Sequence, residues 1–127
     1  MARPPREIVV LTSVLIVDDD RAFGCLAAEI LTDRGYLVVG QAATIAEALV
    51  QCARLDPGAL LIDVRLPDGD GVRLADVLGT RPDPPIVILT STDRTAVSPE
   101  RLLASGARGF VPKTHIAQVN LDLYLKR

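Results

Sequence analysis

Long apolar runs are missing from this chain of 127 residues. None exceeds five residues, against the ~20 that a membrane-crossing helix needs. Ile8 to Leu11 is too short for the roughly 7–15-residue core of a secretory leader, and no small-residue cleavage site follows it. A surplus of one charge sign is missing too. The net charge is -2 and the arginines are scattered, which argues against a nucleic-acid stripe or a basic membrane patch. Cysteine is scarce: Cys25 and Cys52 match no metal or redox spacing. Cys52 falls on an apolar face with Ile45, Ala48, Leu49 and Ala53, which fits a small core residue in a reducing, cytoplasmic setting. Histidine occurs once, at His115, near an expected helix start and with no identifiable partner for base chemistry. Lysine is nearly absent, since twelve of the fourteen cationic residues are arginine and only Lys113 and Lys126 remain. Repeats and low-complexity tracts are absent as well.

What is present suits one domain with a filled core: 49% of residues are apolar and 24% charged. Residues 1–13 read as an arm that is polar up to Arg6, with Ile8 to Leu11 either lengthening the first strand or lying across a sheet edge. The domain proper is expected over 14–127. Val14-Leu15-Ile16-Val17, Ala59-Leu60-Leu61-Ile62 and Ile86-Val87-Ile88-Leu89 are continuous apolar runs, as in strands buried on both faces. Tyr36 to Val39 and Gly109-Phe110-Val111 read as two further strands, the last at an edge because Pro112 cannot donate to a ladder.

Helical spacing links these strands. Phe23, Leu26, Ala27, Ile30 and Leu31 share a face, with Gly35 as a stop. Thr44 and Glu47 form a capping box that opens a second helix, ended at Asp56-Pro57-Gly58. A loop over Leu66 to Gly71 precedes a short helix from Val72 to Leu78. Ser98-Pro99 opens a fourth helix ending near Ser105, and Ile116 to Leu125 reads as a closing helix. Five βα units imply an α/β fold, a doubly wound parallel sheet with helices on both faces.

In such a sheet, ligands bind outside the carboxyl ends of the strands. Four of the five strand ends carry polar groups here: Asp18 and Asp19, Asp63, Thr90, and Lys113. Crowded carboxylates repel unless a cation sits among them, and Mg²⁺ suits a few oxygen ligands completed by phosphate oxygens. Thr90 and Lys113 can hold a phosphoryl group from the other side, leaving one carboxylate free to attack phosphorus. Asp20 is read as the N-cap of the first helix before a third metal ligand, and Asp70-Gly71 as turn and cap chemistry. A Ca²⁺ loop from Asp68 fails, because Gly79 stands where a bidentate Glu is required.

Val14 to Asp20, Leu61 to Gly71, Ile86 to Ser91 and Gly106 to Lys113 together resemble the motifs of response-regulator receiver domains, over roughly residues 14 to 126. The resemblance implies a flavodoxin-like fold with strand order 2-1-3-4-5 and five flanking helices. It implies Asp63 as phosphoacceptor, and Asp18, Asp19, Asp63 and the backbone carbonyl of Arg65 as ligands of Mg²⁺ (or Mn²⁺). Thr90 and Lys113 would contact the phosphoryl oxygens, and Phe110 would turn inward as Thr90 moves. The implied partners are a histidine kinase or phosphotransfer protein as donor, and a downstream effector or output domain reached through residues 94–126. A phosphorylation-dependent homodimer is compatible with it. The domain would be a switch with at most slow self-catalysis, binding neither nucleic acid nor membrane itself. Lys113-Thr114 replaces the Lys-Pro of many receivers and leans toward those fused to a helix-turn-helix output domain. Arg65 stands where the family tunes phosphoryl lifetime.

Other readings stay open. A haloacid-dehalogenase-type phosphatase would use Asp18 and Asp20, Thr90 and Lys113, but needs an acidic pair beyond the lysine, where only Asp122 follows. An unphosphorylated interaction platform and a receiver cut from a longer regulator are the remaining two.

Overall fold

The three continuous apolar runs become the three inner strands of one parallel sheet in the computed structural model, which describes residues 11–126. They are β1 (Ser13–Val17), β3 (Ala59–Asp63) and β6 (Ile86–Ser91); β2 (Leu37–Ala42) and β7 (Gly109–Pro112) form the edges. The order is β2-β1-β3-β6-β7, every neighbouring pair parallel, which is the expected doubly wound arrangement.

Alternation of side chains along the inner strands divides the core in two. Leu15, Val17, Leu60, Ile62, Val87 and Leu89 face one side, packed with Ala48 and Cys52 of α2 (Ile45–Leu55) and Val72, Leu74, Ala75 and Leu78 of α3 (Gly71–Gly79). Val14, Ile16, Leu61, Ile86 and Ile88 face the other, with Phe23, Ala27 and Leu31 of α1 (Arg21–Asp33) and Ile116, Leu121 and Leu125 near the chain end. With neither face solvated, these strands need no polar alternation, which is why they read as unbroken apolar runs. Pro112 lies on the edge strand, as its missing N–H requires.

The capping signals are used as expected. Asp20 accepts from Phe23 N–H at the start of α1, Thr44 from Glu47 N–H at α2, and Ser98 from Arg101 N–H at α4 (Pro99–Ala104).

Three elements differ from the sequence expectation. β2 runs to Ala42, three residues beyond the apolar stretch, with a register shift against β1 between Val14 and Leu15. The loop after β3 contains a two-residue antiparallel ladder, β4 (Arg65–Leu66) against β5 (Gly69–Asp70), turning at Pro67-Asp68. The closing helix is far shorter than Ile116 to Leu125: a 3₁₀ turn over Lys113–His115 is followed by turns, then by one helical turn, α5 (Asp122–Leu125). Side chains explain the shortening. The Arg34 guanidinium donates to the carbonyls of Ala117 and Val119, groups that would otherwise serve a helix ladder. The Asn120 side chain accepts from Asp122 N–H and starts the helix afresh. Arg108 closes the end by donating to the carbonyls of Tyr124 and Lys126, at 2.9 and 3.0 Å. The suggested extension of the first strand through Ile8 to Val10 lies outside the described residues, while Leu11 and Thr12 are irregular.

No helix among the described residues is long and apolar enough to cross a membrane.

Candidate functional site

Each inner strand ends at the same rim, and the parallel register decides which side chains meet there. Asp63 and Thr90 are direct partners in the β3–β6 ladder. Asp18 follows β1, and Lys113 follows β7. The chain therefore brings Asp18, Asp19, Asp63, Thr90 and Lys113 to one end of the sheet, as the sequence led us to expect.

The lysine is the centre of this group. Its Nζ lies 2.7 Å from Asp18 Oδ2 and 3.1 Å from Asp63 Oδ2, with all three side chains at least nine-tenths buried. Asp18 Oδ1 accepts from Asp20 N–H at 2.8 Å, and Asp63 Oδ1 from Arg65 N–H at 3.1 Å, so Asp63 is hydrogen-bonded at both oxygens, while Asp18 Oδ2 has the Lys113 ion pair alone. Burial raises the Asp18 pKa above the ordinary carboxylate value, and nearby Asp63 adds to the rise against the opposing hydrogen bond from Lys113. Burial works against the Lys113 ammonium, yet its bonds to Asp18 and Asp63 prevail and raise its pKa. The site carries more negative than positive charge, and one lysine does not neutralise it.

Asp19 is exposed and completes a set with Asp18 and Asp63 whose carboxylate oxygens lie within 4.8 Å of one another. Three oxygen donors at this separation match the donor type that Mg²⁺ or Mn²⁺ takes. It is the one such cluster among the described residues. Asp20 turns away from it to cap α1. Asp70 caps α3 through Val72 N–H, and Asp68 accepts from Ile45 and Ala46 N–H at the start of α2. Those two amides hold the Asp68 carboxyl below the usual range. Neither acid takes part in a metal-type group.

Thr90 is 1% exposed, and its hydroxyl oxygen has no hydrogen-bond partner. An orphaned hydroxyl costs stability, so its place beside Asp63 calls for an explanation. Phe110 is half-buried on the β7 edge, beside Leu89 in register and against the α2/α3 side of the core. The Arg65 guanidinium reaches outward to Asp93 at 3.8 Å, with 79% of its side chain exposed. His115 is half-buried, with Nε2 3.2 Å from an Arg94 guanidinium nitrogen. Asp122, the one acid available to the phosphatase alternative, accepts from the Tyr36 hydroxyl and pairs with Lys126.

Two residues of the site were not legible as such in the sequence. Phe23 has the spacing of a core position of α1, yet its ring centroid is 4.6 Å from Lys113 Nζ. The signal was its place in the first turn after the acidic run. Gly71 has the sequence setting of a turn residue alone. A Cβ there would stand 2.1 Å from the Asp63 carbonyl oxygen, so glycine is what lets α3 start against the end of β3.

Comparison with known proteins agrees with this geometry. The sequence profile described as response regulator receiver domain matches residues 14–123. A protein-glutamate methylesterase/protein-glutamine glutaminase of Xanthomonas oryzae pv. oryzae is 39% identical over 105 residues, which cover 81% of this chain and 29% of that protein. The DNA-binding transcriptional activator DevR/DosR of Mycobacterium tuberculosis is 36% identical over 105 residues, 81% of this chain and 48% of that one. The chain thus spans less than half the length of either relative. Among solved structures, the signal receiver domain of the NarL response regulator from Mycobacterium tuberculosis superposes with a TM-score of 0.77 at 29% identity, covering 92% of this chain and 98% of that one. With the profile spanning nearly the whole described chain and the strand order in accord, this chain belongs to the response regulator receiver domain family.

Proposed function

We propose that this domain accepts a phosphoryl group on Asp63 from a phosphohistidine donor, and that the modification alters the surface over residues 94–126. The observation that carries the reading is the Thr90 hydroxyl, buried without a partner and in register beside Asp63. A phosphoryl oxygen on Asp63 would give it the acceptor that it lacks. In the transfer a carboxylate oxygen of Asp63 forms a bond to phosphorus, the P–N bond of the donor breaks, and the released imidazole takes up a proton.

Lys113 already contacts Asp63 and needs little movement to meet the phosphoryl oxygens as a point charge. Arg65 N–H holds the other oxygen of Asp63 and orients the carboxylate. Asp18, Asp19, Asp63 and the Arg65 backbone carbonyl would hold Mg²⁺ or Mn²⁺, which neutralises charge on the carboxylates and the transferring group. Thr90 and Phe110 form the switch: as the Thr90 hydroxyl moves toward the phosphoryl group, the half-buried Phe110 turns further inward. Turnover is confined to slow phosphorylation from small donors and slow loss of the group, so the domain signals and does not process a substrate. The donor is a histidine kinase or phosphotransfer protein. The recipient is an effector, an output domain or a second copy of the chain.

Incubation with Mg²⁺ and phosphoramidate or acetyl phosphate, followed by intact mass, tests the reading. A phosphate-sized gain in the wild type that is absent in Asp63→Asn supports it; no gain with any donor points to an unphosphorylated interaction platform.

A further inference from the structure

The carboxylates of Asp18 and Asp63 contact the Lys113 ammonium, and a third neighbour approaches it as well. The Phe23 ring lies with its centroid 4.6 Å from Nζ, within the range of a cation–π contact. Phe23 is 8% exposed, and the Lys113 side chain is 9% exposed. Little water competes there, and attraction between an ammonium and a ring face strengthens as water is excluded.

The ring is itself held in place. Phe23 donates its backbone N–H to Asp20 Oδ1, so the cap that turns the chain away from the acidic rim also sets this residue in the first turn of α1. Phe23 belongs to the apolar cluster with Val14, Ile16, Ala27 and Ile116. A leucine could serve that packing, but it has no ring face for a cation. The chain uses phenylalanine only twice, and both residues stand near this rim, Phe110 on β7 and Phe23 under the lysine.

Resting on the reading that Lys113 meets the phosphoryl oxygens, we propose that Phe23 is a positioning residue for phosphoryl acceptance, its ring holding the Lys113 ammonium at Asp63 through a cation–π contact. The two carboxylates attract the charge but leave the long lysine stem free to approach from several directions. The ring removes part of that freedom. The ammonium then stays beside Asp63 Oδ2 before the donor arrives, and less ordering is left for the transfer itself.

The test replaces Phe23 with phenylalanines carrying one, two and three ring fluorines, which drain the negative potential of the ring face with little change of shape. Two readouts are followed: the rate of phosphorylation by acetyl phosphate with Mg²⁺, and the ring-current shift of the Lys113 ε-methylene protons in the unphosphorylated domain. Melting curves verify that each variant is folded. The rate is expected to fall stepwise, by about threefold to tenfold across the series. The ε-methylene signal should move toward its position in free lysine, and Phe23→Tyr should stay near the wild type in both readouts. A flat rate across the fluorinated series, with a loss confined to Phe23→Leu, would make Phe23 a packing residue and overturn the proposal. Should the wild type take up no phosphoryl group, the acceptor reading fails by itself. The Lys113 signal then still decides the contact: a stepwise shift supports it, and an unmoved signal overturns it.

Discussion

Thr90 stands directly opposite Asp63 in the parallel ladder of β3 and β6, with its hydroxyl oxygen buried and unpaired. This pairing sets stability against function. Thr90→Val keeps the shape and removes the orphan, and should stabilise the unphosphorylated domain by about 1 kcal/mol in urea denaturation. The same variant should lose the conformational response to phosphorylation, while Thr90→Ser keeps it. A destabilised Thr90→Val would mean that the hydroxyl already has a partner in solution.

Divalent metal should stabilise the fold. Asp18, Asp19 and Asp63 crowd together with only Lys113 to offset them. At tenfold excess over its Kd, Mg²⁺ should add about 1.4 kcal/mol, read as a rise of roughly 4–5 °C in Tm. Asp18→Asn should remove most of the rise. An unchanged Tm of the wild type at millimolar Mg²⁺ would count against the metal site.

Gly71→Ala tests how closely α3 must approach the acceptor strand. Its methyl group would meet the Asp63 carbonyl oxygen at 2.1 Å, and backbone cannot yield as a side chain does. A loss of about 2–3 kcal/mol is expected, together with slower phosphorylation as the end of β3 shifts. Gly35→Ala is the control: its φ of +89° is strained for alanine, but nothing lies within 4 Å, so it should destabilise by about 1 kcal/mol and leave the rate unchanged.

Alkaline pH should loosen the chain end. Burial and the hydrogen bond to Asp122 push the Tyr36 hydroxyl up to about 12 from 10.0. The folded state therefore keeps a proton that the unfolded chain releases above pH 10. The stabilisation is complete below pH 10 and is lost as pH rises through about 12. Tyr36→Phe should cost about 1 kcal/mol at neutral pH and flatten the stability profile between pH 10 and 12. Equal alkaline slopes in both proteins would show that the bond contributes nothing.

Arg65→Ala addresses the lifetime of the phosphoryl group. The Arg65–Asp93 pair is open to solvent, with side chains 79% and 43% exposed, so stability should change by less than about 0.5 kcal/mol. On the proposal that the guanidinium swings over the phosphoryl group and limits the approach of water, loss of the group should be faster in the variant. Equal rates of loss would remove Arg65 from the mechanism.

The sequence exposed the parts of this fold that depend on local pattern. The inner strands are unbroken apolar runs because helices cover both faces of the sheet, and the caps at Asp20, Thr44 and Ser98 act within three residues of themselves. The closing helix is shorter than its local pattern implies because its competitor comes from far along the chain. Arg34 takes the carbonyls of Ala117 and Val119. Asp68 is a similar case, capping α2 from the loop after β3. At the site, the strand-end rule located Asp18, Asp63, Thr90 and Lys113. Phe23 and Gly71 escaped, because an apolar side chain under an ammonium and a missing Cβ against a carbonyl are matters of distance that no periodicity reports.

The central claim is that Asp63 itself takes the phosphoryl group, and borohydride reduction tests it most directly. An acyl phosphate at an aspartate is reduced to homoserine, whereas a free carboxylate is not. After treatment with Mg²⁺ and phosphoramidate, then borohydride, peptide sequencing by mass spectrometry should find homoserine at position 63 and nowhere else. Homoserine at Asp18 or Asp19 in place of Asp63, or an unreduced chain that nevertheless gained phosphate, would contradict it.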